Sequence, residues 1–142
     1  MEVIAVDLTG TWNVIAVACA RTLPKEAGMA RRVLVVDDEW LILDFARVAL
    51  EELGCEVVTA SDATEALQKL QADEHIELLI TDIQMPGMDG AELVERAKGL
   101  RPMLKVIVTS GRRDAPPGVP LIRKPFGFED LVETMKRHTG LC

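Results

Sequence analysis

The feature that most constrains the fold of this chain is a regular alternation of short apolar runs and helical periods that begins at Arg31. Five runs rich in aliphatic and β-branched residues are each bounded by Gly, Pro, Asp or Ser, which is typical of strands. They are "VLVV" (33–36), "EVVT" (56–59), "LLIT" (78–81), "KVIVT" (105–109) and "VPLI" (119–122). Because these runs are almost continuously apolar, we expect strands that are buried on both faces, as in parallel sheets.

Four other segments carry apolar residues at the spacing of one helical face. These faces comprise Ile42, Phe45, Ala46, Ala49, Leu50 and Leu53; Ala63, Ala66, Leu67 and Leu70; Leu93, Val94, Ala97 and Leu100; and Phe128, Leu131, Val132 and Met135. Gly54 is placed to end the first helix, and Asp62 with Glu65 is typical of a capping box. Strands separated by helices predict a doubly wound α/β domain with a five-stranded parallel sheet.

One connection is too short for this pattern. Only "SGRRDAPPG" (110–118) separates the fourth and fifth strands, and it contains two consecutive prolines. A crossover that includes a helix needs about ten to twelve residues or more. We therefore predict that the fourth helix, which this crossover would carry, is short or missing.

Residues 1–30 lack this alternation, and "RTLPKEAG" (21–28) is typical of a linker. Met29 stands just ahead of the first predicted strand. Two interpretations follow: residues 1–30 are an N-terminal extension, dispensable or disordered, or they result from an over-long translation start. The functional domain is then expected at residues 31–142.

Charge and composition exclude several classes of protein. A net charge of −7 argues against a nucleic-acid binder, which needs clustered Lys and Arg. The apolar run "VIAVACA" (14–20) is too short to span a bilayer. Cys19, Cys55 and Cys142 are odd in number and lack metal-ligand spacing, which favours a reduced protein. We expect a cytoplasmic protein that binds neither nucleic acid nor membranes.

Charged and hydroxyl residues follow the predicted strands at their carboxyl ends, where open parallel sheets bind ligands. They are Asp37, Asp38 and Glu39 after the first strand, Asp82 after the third, Thr109, Ser110 and Gly111 at the fourth, and Lys124 with Pro125 after the fifth. Carboxylates that lie this close repel one another unless a cation sits among them. Oxygen ligands without His or Cys favour Mg²⁺.

Four motifs occur in order at these strand ends: "VLVVDDE", "DIQMPGMDG", the pair "SG" after "VIVT", and "KPF". Each motif alone is a weak signal. Together they make residues 32 to about 138 resemble the receiver domain of two-component response regulators, here a stand-alone receiver similar to chemotaxis regulators. The resemblance implies a flavodoxin-like sheet in the order 2-1-3-4-5, which agrees with the periodicity described above.

The resemblance also implies which residues carry the chemistry. Asp82 would accept a phosphoryl group from a phosphohistidine on a partner histidine kinase or phosphotransfer protein. Asp37, Asp38 and Asp82 would bind Mg²⁺, together with the backbone carbonyl of Gln84. Taken alone, Asp37 and Asp38 favour the simpler interpretation as caps of the first helix, and the presence of Asp82 and Lys124 reverses this preference.

Two further residues would complete this site. Ser110 would hydrogen-bond the phosphoryl group after transfer, and Lys124 would offset the charge on its oxygens. In the family the bond between the lysine and the following proline, here Pro125, is cis. The small residue after the serine is Gly111.

The sequence departs from the family at the position that reports phosphorylation. Many receivers have Tyr or Phe three residues before the active-site lysine, whereas this chain has Leu121 there and no Tyr at all. Because the fourth helix is also predicted to be short or missing, we expect the readout to involve the loop 111–118 and the last helix.

No further domain follows the last predicted helix, so we expect a stand-alone receiver rather than a conventional enzyme. It would catalyse only its own phosphorylation and dephosphorylation, and act on an unidentified downstream protein or as a phosphate relay or sink. One alternative is an interaction module that works without phosphorylation. A second is a phosphatase of the haloacid-dehalogenase type with Asp7 of "VIAVDLTGTW" (3–12) as nucleophile, although the acidic pair and the lysine follow in the wrong order.

Overall fold

A computed structural model describes residues 31–139 of the chain. The expectations for residues 1–30, including the extension and the Asp7 motif, lie outside the described residues. The elements in chain order are β1 (Arg32–Val36), α1 (Trp40–Glu52), β2 (Glu56–Ala60), α2 (Ala63–Ala72), β3 (Ile76–Asp82), α3 (Gly90–Leu100), β4 (Lys105–Ser110), β5 (Leu121–Arg123) and α4 (Phe128–Thr139).

The five strands form one parallel sheet in the order β2-β1-β3-β4-β5, which confirms the predicted fold class. The order reverses between β1 and β3, so the crevice of the sheet opens beyond the carboxyl ends of these two strands. Asp82 is the last residue of β3 and lies opposite Thr109 of β4. The sheet itself therefore holds this carboxylate at the edge of the crevice.

Each face of the sheet is covered by two helices. Alternate strand residues point to opposite faces, so Leu34 and Val36 pack with α2 and α3, whereas Val33 and Val35 pack with α1 and α4. The prediction of strands buried on both faces is thus confirmed for β1. No helix within residues 31–139 is long and apolar enough to cross a bilayer.

The connection between β4 and β5 contains no helix, as predicted. Ala115 and Val119 are partly buried in this segment and pack against the core under α2 and α3, on the face that a crossover helix would cover. The fifth strand begins at Leu121 instead of the predicted residue 119. Proline has no N–H for the ladder, and Pro120 contributes only its carbonyl, which accepts from Val108 N at 2.9 Å.

Three residues predicted to lie on buried helical faces are 40% to 43% exposed: Phe45, Leu100 and Phe128. The buried part of α1 is a narrow stripe of Ala46, Ala49 and Leu50. Phe45 lies beside this stripe, and its ring centroid is 6.0 Å from that of Phe126. Helical periodicity identified the stripe but overestimated its width.

The predicted helix boundaries agree with the local geometry. The Asp62 side chain accepts a hydrogen bond from Glu65 N at 2.7 Å, and Glu65 in turn accepts from Ser61 N at 2.9 Å. Gly54 follows α1 with a φ of 90°, a left-handed conformation that glycine adopts without strain.

Candidate functional site

Four segments that are distant in sequence meet beyond the carboxyl ends of the strands. Lys124, which follows β5, places its Nζ 2.9 Å from Asp37 Oδ2 after β1 and 3.2 Å from Asp82 Oδ2 at the end of β3. The backbone N–H of Lys124 donates to the carbonyl of Ser110, the last residue of β4, at 2.9 Å. The expected meeting of acids, serine and amine at one edge of the sheet is therefore present.

The carboxylates of Asp37, Asp38 and Asp82 form a compact cluster. One oxygen from each lies within 4.8 Å of the others. Asp37 and Asp82 are buried, whereas Asp38 is exposed to solvent. Lys124 is the one ammonium within ion-pair distance of Asp37 or Asp82 among the described residues, so negative charge is in excess. A cluster of hard oxygen ligands with excess negative charge fits a divalent cation such as Mg²⁺.

Asp37 is fixed by two hydrogen bonds. Its Oδ1 accepts from Glu39 N at 2.9 Å, and its Oδ2 accepts from Lys124 Nζ. The N-cap of α1 is Glu39, whose side chain makes no capping hydrogen bond. Asp37 and Asp38 therefore do not occupy the cap position that their sequence alone would allow.

At Asp37 and at Lys124, burial and the nearby opposite charge shift the pKa in opposite directions. Burial raises the pKa of Asp37, and the hydrogen bond and charge of Lys124 offset this increase only in part. For Lys124, burial lowers the pKa, but the hydrogen bonds and charges of Asp37 and Asp82 outweigh it and leave the pKa raised. The lysine is thus held as an ammonium against the two buried acids.

The backbone around Asp82 is fixed on several sides. Gln84 N donates to Asp82 Oδ1 at 3.2 Å, and Ile83 N donates to the carbonyl of Thr109 at 3.0 Å. Gly90, the first residue of α3, donates its N–H to the carbonyl of Ile83 at 2.8 Å. A Cβ at Gly90 would lie 2.2 Å from the carbonyl oxygen of Asp82.

Gly90 was not among the site residues predicted from the sequence. Asp89, the residue before it, caps α3 by accepting from Glu92 N at 3.0 Å. The "MDG" end of the motif "DIQMPGMDG" was the available signal. The reason for a glycine at this position is its contact with the Asp82 backbone, which only the structure shows. Glu39, expected at the same edge but given no role, lies with its Oε1 3.7 Å from Lys124 Nζ.

Ser110 is fully buried, and its hydroxyl is bound to the following loop. The Oγ accepts from the backbone N–H groups of Arg112 at 3.2 Å and Arg113 at 2.8 Å. Arg113 also contacts the cap of α3, with Nη1 3.4 Å from Asp89 Oδ2. A Cβ at Gly111 would lie 4.0 Å from Lys124 Cβ, which is an ordinary contact.

The remaining two predicted residues flank Lys124. The Lys124–Pro125 peptide bond is cis. Leu121 is half-buried, pairs with Val108 in the sheet and packs against the core under α2 and α3. An aliphatic side chain thus occupies the position at which the family often has an aromatic one.

Comparison with known proteins identifies the same domain. The family model described as the response regulator receiver domain matches residues 33–136. The response regulator receiver protein CpdR of Brucella abortus is 35% identical over 115 residues, which cover 75% of this chain and 95% of CpdR. The chain spans only 25% of the transcriptional regulatory protein DctD of Rhizobium meliloti, to which it is 35% identical over 116 residues.

Solved structures show the same similarity. A CheY-like receiver domain protein from Methanospirillum hungatei superposes with a TM-score of 0.70 at 35% identity, covering 76% of this chain and 92% of that one. The response regulator TrrA of Thermotoga maritima, solved in complex with Mg(2+)-BeF, gives a TM-score of 0.68 at 31% identity, covering 75% of this chain and 97% of that one.

Proposed function

This chain belongs to the response regulator receiver family, and from that premise we propose that it accepts a phosphoryl group on Asp82 from a phosphohistidine. The donor is a histidine kinase or a phosphotransfer protein of a two-component system. The observation that carries this proposal is the position of Lys124 Nζ, which lies within 3.2 Å of both Asp37 and Asp82 in the carboxylate cluster.

Asp82 acts as the nucleophile. One of its carboxylate oxygens attacks the phosphorus, a P–O bond forms and the P–N bond to histidine breaks. The imidazole leaves with the electron pair and takes a proton from solvent. Because β3, Gln84 and Gly90 fix the backbone around Asp82, its carboxylate is held in place before the phosphodonor binds.

Phosphoryl transfer depends mainly on positioning and on neutralising charge. Lys124 supplies one positive charge at the carboxylates and can follow the transferring oxygens. Asp37, Asp38 and Asp82 with the backbone carbonyl of Gln84 are the residues that would hold Mg²⁺. When bound, this ion would offset the remaining negative charge on the phosphoryl oxygens.

Ser110 links the site to the loop 111–118. In the described state its hydroxyl serves as acceptor for the N–H groups of Arg112 and Arg113. We propose that this hydroxyl turns to the phosphoryl group after transfer, since a charge-assisted hydrogen bond is the stronger one. The loop then loses two hydrogen bonds and changes its surface, which a downstream protein can recognise.

The first two turns of α1 offer a docking surface for the phosphodonor. Trp40 and Leu41 are 71% and 66% exposed, and Phe45 and Val48 of the same helix are exposed as well. Such patches mark sites of protein interaction. Because α1 begins one residue after Glu39, a partner that packs on Trp40 holds its histidine beside the acidic cluster.

Trp40→Ala tests this docking surface. The variant should accept phosphate from acetyl phosphate at the wild-type rate, because that donor needs no docking. Transfer from a histidine kinase or phosphotransfer protein that phosphorylates the wild type should fall about tenfold or more, the effect of losing a central aromatic contact. Met103→Ala, at a 91% exposed residue outside α1, is the control. Equal transfer to all three proteins would exclude docking on Trp40.

The phosphorylation itself is tested with acetyl phosphate and Mg²⁺. The wild type should gain the mass of one phosphoryl group in an acid-stable, base-labile form, and Asp82→Asn should not. If Asp7→Asn abolished the gain while Asp82→Asn kept it, the chain would work as the phosphatase-type alternative. If the wild type gained no mass with any donor, it would be a phosphorylation-independent interaction module.

A further inference from the structure

A cavity lies at the edge of the sheet opposite the carboxylate site, where β3 and β4 begin. It has a volume of about 220 Å³. Its apolar lining comes from core residues such as Leu104 and Val106, and Gly118 and Pro120 at the end of the β4–β5 loop form another part. It is therefore distinct from the carboxylate site at the other ends of the strands.

Three basic side chains from three elements line this cavity: Lys98 of α3, Lys105 of β4 and His138 of α4. No acidic residue lines it. The two lysines make the lining positive, whereas the whole chain has a net charge of −7. The cavity thus combines positive charge at its rim with a floor of core side chains that are almost fully buried.

Most other basic side chains in residues 31–139 are neutralised by a partner. Arg31, Arg32, Arg47, Lys69, Arg96, Arg113, Arg123, Lys124 and Arg137 each lie within 4.0 Å of a carboxylate. Arg101 instead donates to backbone carbonyls. Within the same part of the chain, neither Lys98 nor Lys105 has a carboxylate at that distance, so both remain available to an external anion.

Helix polarity explains only part of this arrangement. Lys98 and His138 lie in the last turns of their helices, where cations are favoured by the carbonyl ends. Lys105 begins a strand, where no helix end favours a cation. Helix polarity therefore does not explain why all three side chains line one cavity.

We infer that this cavity binds a small organic anion, in which a carboxylate or phosphate is joined to a short apolar group. The oxyanion contacts Lys98 and Lys105, which bind such groups as compact point charges. The apolar group rests against the small parts of Leu104 and Val106 that reach the cavity. Ligand sites commonly combine an apolar lining with a few such polar contacts.

Amide chemical shifts of the ¹⁵N-labelled protein test this inference. Benzoate and phenyl phosphate are titrated separately in EDTA without Mg²⁺, which keeps anions from binding at the carboxylate site through a metal. Either anion should shift the amides of Lys98, Lys105 and Gly118 in a saturable manner. The anion with the lower dissociation constant shows whether the cavity prefers a carboxylate or a phosphate. Benzyl alcohol, which is neutral and of similar size, should give no saturation.

Variants that each remove one positive charge test the role of the two lysines. Lys98→Gln and Lys105→Gln should each weaken binding about fivefold, the effect of losing roughly 1 kcal/mol from an ion pair. Lys136→Gln removes a charge from α4 outside the cavity and should leave binding unchanged. All three side chains are exposed, so the variants should keep the dispersed spectrum of the folded protein. Absence of saturation, equal effects of benzyl alcohol, or unchanged affinity in both cavity variants would overturn the inference.

Discussion

Among the glycines within residues 31–139, Gly90 is the one at which a side chain has the least room. Its missing side chain allows α3 to begin directly against the backbone of Asp82 and Ile83. A Cβ there would approach the carbonyl oxygen of Asp82 to 2.2 Å and the Cα of Ile83 to 2.6 Å. Backbone atoms cannot move aside as a flexible side chain can. This contact therefore fixes the position of α3 relative to the backbone of Asp82, the candidate phosphoryl acceptor.

Two glycines of the same helix should respond to alanine in opposite directions. Gly90→Ala should lower the free energy of unfolding by about 2 kcal/mol or more, because the added methyl group forces the backbone apart. At Gly99, a Cβ meets nothing within 4 Å. Gly99→Ala should raise the free energy of unfolding by roughly 0.5 to 1 kcal/mol, because alanine favours helix.

Urea unfolding of the two variants and the wild type measures this difference. The same samples, treated with acetyl phosphate, should show slower phosphorylation of Gly90→Ala only. Equal stability of the two variants would mean that α3 does not press against Asp82 as described.

Among the elements, the β4–β5 connection departs most from the family pattern. Ser110 anchors its start by accepting from the N–H of Arg113, and two ion pairs hold the next residues: Arg113 with Asp89, and Asp114 with Arg123, whose Nη2 lies 3.0 Å from Asp114 Oδ1. Only the first anchor is adjacent to the carboxylate site. A change at Ser110 can therefore release one end of the loop while the others hold.

Amide hydrogen exchange should reveal this release. Phosphorylation should speed exchange at Arg112 and Arg113, which donate to Ser110 Oγ. Ser110→Ala should show similarly fast exchange at both amides before phosphorylation, and little further change after it. Exchange differences confined to regions outside residues 111–118 and α4 would argue against this readout.

The cap of α3 should make stability depend on pH. The backbone hydrogen bond from Glu92 and the charge of Arg113 lower the pKa of Asp89. Because the pKa is lower in the folded state, this contribution to stability is present above the unfolded value, about 3.9, and is lost as pH falls through the folded pKa.

Asp89→Asn isolates this contribution, since asparagine also caps helices but carries no charge. At pH 7 the variant should be less stable by about 0.5 kcal/mol, a value kept small because the ion pair with Arg113 is exposed to solvent. Thermal unfolding between about pH 5 and pH 2 should show this difference shrinking. A difference that grows toward low pH would contradict the assigned sign.

For the molecule as a whole, the features set by periodicity and spacing were predictable. The buried strands, the Asp62 cap and the missing helix in 110–118 follow from local sequence. The meeting of Asp82 and Lys124 was also predictable, because parallel strands bring their carboxyl ends to one edge.

Features that depend on distances between elements could not be predicted in this way. The contact of Gly90 with Asp82 and the exposure of Phe45 depend on where two elements meet, and local sequence does not contain that information. The link from Ser110 to Arg113 likewise depends on the conformation of a loop. The positions of residues at the strand ends predict which side chains lie at the site. The contacts that orient each side chain depend on packing between elements.

Magnesium should stabilise the whole domain if the carboxylate cluster holds it. With the ion at about ten times its dissociation constant, the wild type should gain about 1.4 kcal/mol in free energy of unfolding. Asp38→Asn should lose most of this gain, since it removes one of the three clustered carboxylates. Asp44→Asn, on the exposed surface of α1, is the control. Equal stabilisation of all three proteins would place the ion elsewhere.

The identity of the phosphorylated residue tests the central claim most directly. After treatment with acetyl phosphate and Mg²⁺, borohydride reduces an acyl phosphate to an alcohol and marks its position for peptide mass spectrometry. We expect the mark on Asp82 alone, in the peptide that contains "ITDIQMPG". A mark on any other residue, or a phosphorylated protein in which Asp82 stays unmodified, would contradict the account.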